Sequence, residues 1–576
     1  MTSASVEPCG RKLVDIMADE NRMIELKEIA LNLPDISLND RQICDFELIA
    51  SGAFSPLKGF MTKADYVSVI ENMHLENGLL WPVPICLDID EKKAGELKNA
   101  EFAAIRDSEG FLLAIMHIKD IWQYDRKKEA LSIYGTTDTS HPGVYYLTNK
   151  SGSFYAGGNL EILSLPLHYD SRQMRMTPKE VRAIYKKLGW QKVVGFHTRD
   201  PIHRPQFEMT IMAMRKARAN LLILPCTGVV GPNVSGQGDF DHYTRVRCYS
   251  QITGRYPADS FILNLLPLAF RTAGPKSALL HSIIARNYGC THFIVGSDHA
   301  TPPNLNMKEE PFYKKNEAAT LTEKHSKETG VSIIAFEEIV YLPFEDEYCF
   351  VSHAPDEAET ISLSDSDIRK RIKSGKKIPD WATFPEVVKE LQKAYPPPEQ
   401  QGFTVFLTGL SGAGKSTIAR ILYSRFLEAG NRPVTLLDGD IVRKNLSSEL
   451  SFTRKHRDIN VRRIGYVASE ITKNKGIAIC APIAPYSSTR NEIRKQIETY
   501  GGFIEIYVAT PLKECEKRDR KGMYAKARAG LIKGFTGVDD PYETPKTPEV
   551  IIDTTGITPD EAAQEIQLFI TQKGFI

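Results

Sequence analysis

Residues 409–417 read Gly-Leu-Ser-Gly-Ala-Gly-Lys-Ser-Thr, and this stretch decides the fold of the carboxy-terminal part of the chain. It matches G-x-x-x-x-G-K-[ST], the pattern of a phosphate-cradling loop. The apolar, β-branched run Thr404–Thr408 before it predicts a buried parallel strand. The helical spacing of Ile418–Ala429 after it predicts a helix that Gly430 stops. Each residue type has a chemical reason. Gly409, Gly412 and Gly414, with Ser411 and Ala413 between them, let the backbone turn tightly and aim N–H groups at phosphate oxygens. The helix start at Lys415–Thr417 adds partial positive charge. Lys415 reaches the β- and γ-phosphates, and the Ser416 hydroxyl is a ligand for Mg²⁺. A chance match in a chain of ordinary composition has odds of roughly 2%. The flanking strand and helix lower them further, so this segment is expected to bind ATP with Mg²⁺.

Bulk properties narrow the rest. A chain of 576 residues predicts several domains, each able to bury its own core. Lys+Arg 73 against Asp+Glu 72 gives no basic excess for nucleic acid. The nine cysteines are scattered without a C-x-x-C pair, which points to reduced thiols in a cytoplasmic protein. No apolar run approaches transmembrane length, and Met1–Met17 has no signal-like apolar core.

Residues 1–170 alternate strand-like runs with turns, among them Leu79–Leu87 and Phe111–Ile118, and read as a mostly β domain. Cys44–Met61 is its most distinctive segment, with no evident chemistry. From 171 the pattern becomes α/β. Strands are expected at Lys192–Phe196, Asn220–Pro225, Ser260–Leu266 and His292–Gly296, with a helix over Phe207–Ala219. Polar segments follow two strand ends, His197–Gln206 and Gly296–Ala300, where open α/β sheets bind ligands. From spacing alone these are equally an anion site or a solvated loop. Residues 331–395 form a small subdomain with a capped, basic amphipathic helix at Ser364–Lys373, read as a solvated face. The run Tyr395–Gly402 breaks helix and strand alike, so 396–401 is a linker and the last domain spans 402–576.

That last domain resembles the adenylyl-sulfate kinase (APS kinase) family along its whole length. The resemblance is carried by GLSGAGKST, by Leu437-Asp-Gly-Asp-Ile-Val-Arg443, by Asp458-Ile-Asn-Val-Arg-Arg463 and by Lys533-Gly-Phe-Thr-Gly-Val-Asp-Asp-Pro-Tyr-Glu543. The family phosphorylates the 3′-hydroxyl of adenosine 5′-phosphosulfate (APS), giving PAPS. The resemblance implies a P-loop NTPase-type parallel α/β domain. It implies Asp440 as the group that orients or deprotonates the attacking hydroxyl, with Asp438 helping to hold Mg²⁺ through water. It places Arg443, Arg457, Asn460, Ile483, Lys533 and the ring pair Phe452 and Phe535 on APS, and makes Lys521 through Arg528 a lid. Ala484 stands where the family often has a serine, which excludes a phosphoserine route there. Arg462 and Arg463 read equally as surface charges.

Residues 1–395 resemble ATP sulfurylase, which makes APS and pyrophosphate from sulfate and ATP. The matching blocks are Cys44–Met61, Asp241–Arg247, Ala273–Lys276, Gly296–Ala300 and Ile378–Trp381. The implied architecture is a PUA-like β domain followed by a Rossmann-like nucleotidyltransferase-type domain. The catalytic loop departs from the family's Gln-x-Arg-Asn-Pro-x-His-x-x-His. Arg199 and His203 are present, but His197 replaces the sulfate-binding Gln, Asp200 replaces an Asn, and Gln206 replaces the second His. Ser297 replaces an arginine next to Asp298 and His299. A carboxylate ~4 Å from a bound anion costs about 4 kcal/mol at an effective dielectric of 20. Losing a transition-state donor costs about 10²–10³ in rate. A protonated His197 would offset part of this.

The expectation is therefore an oligomeric, cytoplasmic APS kinase using ATP and Mg²⁺, with an impaired sulfurylase-like domain. The alternatives are a fully bifunctional enzyme that also takes sulfate, and a non-catalytic scaffold that senses nucleotide. Intact Lys415, Ser416, Asp438 and Asp440 argue against the scaffold. Neither nucleic acid nor membrane is an expected partner.

Overall fold

The computed structural model describes residues 6–229, 240–303, 305–356, 358–451, 453–519 and 522–576, with only the backbone of Asp440. It divides into two compact units, 1–368 with 378–390, and 369–377 with 391–576.

The first unit contains two large sheets. The amino-terminal one has six strands in the order Asp35–Ser37, Phe102–Arg106, Leu112–Gln123, Phe154–Ile162, Gly59–Phe60, with Leu87–Ile89 also paired to Phe154–Ile162. Phe111–Ile118 thus falls in a long strand as expected. Of Leu79–Leu87 only Leu87 is in a strand, since Pro82 and Pro84 cannot donate to a ladder. The second sheet has five parallel strands in the order Ser332–Phe336, His292–Gly296, Val193–Thr198, Asn220–Pro225, Phe261–Leu263. The expected third strand is shorter than its apolar run. Asn264 N still donates to Ile223 O at 2.9 Å, while its side-chain amide accepts from Met176 N at 2.7 Å and donates to Met176 O at 3.0 Å. The edge strand Ser332–Phe336 was not foreseen from its spacing.

Both sheets contribute to one buried cluster, which runs from Phe46, Phe54 and Trp81 to Leu222, Tyr288 and Phe293. Cys44–Met61 is the seam. Its helix, Asp40–Ala50, starts with a capping box between Asn39 and Gln42. Asp45 pairs with Arg271 at 2.5 Å, both side chains buried. The Asn287 amide donates to Ala53 O and Ser55 O, each at 2.9 Å, and accepts from Cys9 N. The distinctive segment is thus fixed by packing and buried polar contacts.

The second unit has a five-stranded, all-parallel sheet in the order Val434–Leu437, Ile477–Cys480, Phe403–Thr408, Gly502–Val508, Val550–Ile552. Its central strand shows why such strands read as unbroken apolar runs. Phe403, Val405 and Leu407 pack with Ile418, Leu422 and Phe426 on one face, while Phe406 packs with Val461 and Ile464 on the other. The helix after the loop spans Lys415–Ala429 and ends on Gly430 at φ 66°.

Candidate functional site

The phosphate loop joins the central strand Phe403–Thr408 to the helix Lys415–Ala429. Gly409 has φ 146° and Gly414 φ 105°, conformations closed to most side chains. A Cβ on Gly409 would also lie 2.5 Å from Val508 O. The loop is braced from behind, where Thr510 Oγ1 and Thr554 Oγ1 each donate to Ala413 O at 3.1 Å. Lys415 is 6% exposed, and its Nζ donates to Gly409 O at 2.9 Å and Leu410 O at 2.8 Å. Ser416 and Thr417 are exposed at the first turn of the helix. Asp438 is buried where Val434–Leu437 ends, and its carbonyl starts the helix Gly439–Asn445 by accepting from Val442 N. Asp440 follows in that helix; its side chain, with Phe452 and Lys521, lies outside the described residues. Among the described residues no group of three or more His, Cys, Asp or Glu forms a metal cage. A hydroxyl and a carboxylate are the oxygen ligands that suit Mg²⁺, which keeps its waters and shares phosphate oxygens.

The loops that the resemblance assigns to APS converge on Arg457. Its Nη1 donates to Gly534 O at 2.9 Å and Thr536 Oγ1 at 2.8 Å, and Nη2 lies 2.9 Å from Asp540 Oδ2. The Tyr486 hydroxyl donates to the same Asp540 oxygen at 3.0 Å. Asn460, buried beside them, has an Oδ1 with no hydrogen-bond partner. Phe535 meets the Tyr524 ring edge-on at 5.0 Å, and the Tyr524 hydroxyl donates to Ser411 O at 2.9 Å. The short helix Met523–Arg528 is thereby tied to the phosphate loop, with Arg528 on Glu516. Arg443 donates to Leu450 O and Ser451 O, and Lys533 is exposed. The carbonyl of Ile483 accepts from Thr408 Oγ1 at 2.7 Å. Ala484 is buried at φ 45°. Arg462 pairs with Asp458 and Glu492, and Arg463 with Glu449, which is the surface-charge reading. Tyr486, Asp540 and Tyr524 were missed. Asp540 stands inside a quoted motif, but nothing in spacing shows that it and Tyr486 share Arg457.

The second candidate site lies at the carboxyl ends of Val193–Thr198 and His292–Gly296. His197 is 6% exposed, and neither ring nitrogen has a partner. Its ring lies 5.0 Å from that of His281 and 5.1 Å from Phe293, and His281 Nδ1 is 2.9 Å from His299 Nε2. Burial, followed by the neighbouring His299, pushes His197 down to about 3, and burial pushes His299 down to about 4. His281 is held well below the usual histidine value, first by burial. Burial in this layer favours the neutral imidazole, which weighs against the partial compensation a protonated His197 would bring. His203 caps the helix Arg204–Ala217, with Nδ1 2.8 Å from Thr383 Oγ1 and Nε2 3.4 Å from Asp365 Oδ1. Gln206 turns back on the same cap, where Oε1 accepts from His203 N at 3.2 Å. The carbonyls of Arg199 and Asp200 both accept from the Tyr249 hydroxyl at 3.1 Å, and the Arg199 guanidinium lies 5.5 Å from the Phe270 ring centre.

Comparison with known proteins follows this division. A PUA-like domain family matches residues 6–165, ATP-sulfurylase residues 172–394, and adenylylsulphate kinase residues 401–553. Full-length relatives named sulfate adenylyltransferase include that of Phaeosphaeria nodorum, 45% identical over 573 residues, and that of Mycosarcoma maydis, 43% identical over 576. In each case 99% of both chains is covered. A solved structure described as a hexameric APS kinase from Thiobacillus denitrificans is 38% identical, with a TM-score of 0.81 and 99% of each chain covered.

Proposed function

The chain belongs to the family of fused ATP-sulfurylase and adenylylsulphate kinase proteins, and from that premise we propose that it phosphorylates the 3′-hydroxyl of APS while its sulfurylase-like domain is severely impaired toward sulfate. The observation that carries this is the contrast in charge between the two strand ends. One keeps a complete phosphate loop with Lys415, Ser416 and Asp438. The other presents a buried, neutral His197, with Gln206 and His203 turned onto a helix cap.

In the kinase domain, the 3′-oxygen of APS attacks the γ-phosphorus in line, its proton passes to the Asp440 carboxylate, and the bond to the β–γ bridging oxygen breaks to release ADP. Positioning and charge neutralisation supply most of the rate in such transfers. The N–H groups of 409–417 and Lys415 hold the phosphates. Ser416, and Asp438 through water, would hold Mg²⁺, which would supply charge neutralisation. Arg443, Arg457 and Asn460 hold the phosphosulfate, Ile483 and Lys533 also contact APS, Phe452 and Phe535 stack on its adenine, and Lys521 to Arg528 form the lid over the phosphates. We read the limits as 1–170, 171–395 and 402–576, with 396–401 a linker. The Thiobacillus relative, named as a hexameric kinase over its full length, supports both the activity and an oligomeric state.

A second reading, a bifunctional enzyme making PAPS from sulfate and ATP, is favoured by the fungal relatives' name and by the retained Arg199 and His203. Parallel assays on one preparation separate the two. PAPS from ATP plus APS, with no molybdate-dependent pyrophosphate release from ATP, is the expected result. Brisk pyrophosphate release establishes the second reading, and absence of PAPS removes the kinase assignment.

A further inference from the structure

Two loops assigned above to APS, the turn Ile483–Tyr486 and the loop Phe535–Glu543, are remote in sequence and belong to no common element. Beside their direct contacts, Tyr486 hydroxyl to Asp540 and Glu543 N to Pro485 O, one buried side chain spans both. Arg490, 2% exposed on the helix Ser487–Glu498, donates from Nη1 to Ala484 O and from Nη2 to Glu543 O, each at 2.7 Å. Its Nε lies 2.9 Å from Glu505 Oε1, on the strand that pairs with the central strand. Glu505 is itself held, since its Oε2 lies 3.2 Å from Arg494 Nη2. The seam continues outward from there. Glu543 N donates to Pro485 O at 2.9 Å, and the Glu543 carboxylate accepts from Ser487 N and Oγ, each at 2.7 Å. Inward, Thr408 Oγ1, one residue before the phosphate loop, lies 2.9 Å from the Tyr542 hydroxyl.

We infer that Arg490 is a positioning residue for the acceptor substrate: its guanidinium fork, seated on Glu505, sets the spacing between the two APS-binding loops. Only arginine does this, because two N–H groups of one rigid plane meet the two carbonyls while its charge lies against the Glu505 carboxylate. It touches no substrate and acts through Ala484 and Glu543. The inference rests on the reading of these loops as the walls of the APS site.

The test is steady-state PAPS formation by the full chain, varying APS at saturating ATP and ATP at saturating APS. In Arg490→Lys the charge opposite Glu505 stays, but one ammonium cannot span both carbonyls. The KM for APS is expected to rise at least about tenfold, the effect of one lost charge-assisted hydrogen bond, with the KM for ATP changed less than about twofold. Tyr542→Phe, which removes only the contact to Thr408, serves if Arg490→Lys does not fold; it is expected to raise the KM for APS about threefold, with the melting temperature near that of the parent. Equal rises in both KM values, or no rise for APS in a folded variant, overturn the inference while leaving the kinase assignment standing. A parent protein that makes no PAPS overturns both.

Discussion

The neutrality of His197 is open to a quantitative test by acid titration of the His197→Gln variant. A histidine at about 3 in the folded state, against about 6.5 in the unfolded chain, lets the unfolded state take up a proton that the folded state refuses. Stability is therefore complete above pH 6.5 and is lost as pH falls toward 3. Between pH 7.5 and 5.5 the loss is about 1.4 kcal/mol for this one group. Glutamine does not titrate, so His197→Gln is expected to flatten the slope by about that amount. The protein supplies its own reporter, because its four tryptophans, Trp81, Trp122, Trp190 and Trp381, all lie in the unit that holds His197. Urea unfolding followed by tryptophan fluorescence at pH 7.5, 6.5 and 5.5 thus reads that unit alone. The same variant bears on function. At pH 6 about one His197 in a thousand carries a proton, against about three in four for a free imidazole, so acidification brings no sulfate turnover. Identical pH slopes in parent and variant, or an NMR titration midpoint near 6 for His197, would refute the reasoning and restore a cationic group to the anion site.

Lys415→Ala is expected to abolish PAPS formation from APS while leaving the fluorescence-detected unfolding unchanged; retained turnover removes the kinase assignment. Gly409→Ala places a Cβ 2.5 Å from Val508 O at φ 146°, and ATP affinity measured by calorimetry is expected to fall at least a hundredfold. Glu129 is buried and accepts from the Tyr66 and Tyr155 hydroxyls, and burial pushes its carboxyl up to about 7. With the raised value in the folded state, stability is present below about pH 4.5 and is lost as pH rises through 7, a change of about 3 kcal/mol. Glu129→Gln is expected to remove that slope, and an unchanged slope would show the carboxyl to be ionised in the fold. Asp45→Asn leaves Arg271 buried without its counter-charge, and a loss of about 3–5 kcal/mol is expected in the same unfolding assay.

Local order in the chain was enough to place the phosphate loop, because a strand, a glycine turn and a helix start are short-range features. Thr404–Thr408 lies within the strand Phe403–Thr408, and Asn220–Pro225 and His292–Gly296 form strands with the expected ends. The substitutions at 197, 200 and 206 were equally visible, since each is a residue identity at a counted position. What a side chain does there was not. His197 could be weighed as a cation only until its neighbours were known, and those neighbours, His281, Phe293 and His299, come from a helix, a strand and the turn after it, about a hundred residues away. Gln206 looked like a lost catalytic group and is also a helix cap. Burial and partner choice are set by contacts between distant segments, and a pKa depends on both. The same holds for Arg490, which meets Ala484 nearby in the chain but reaches Glu505 and Glu543 only once the fold has formed.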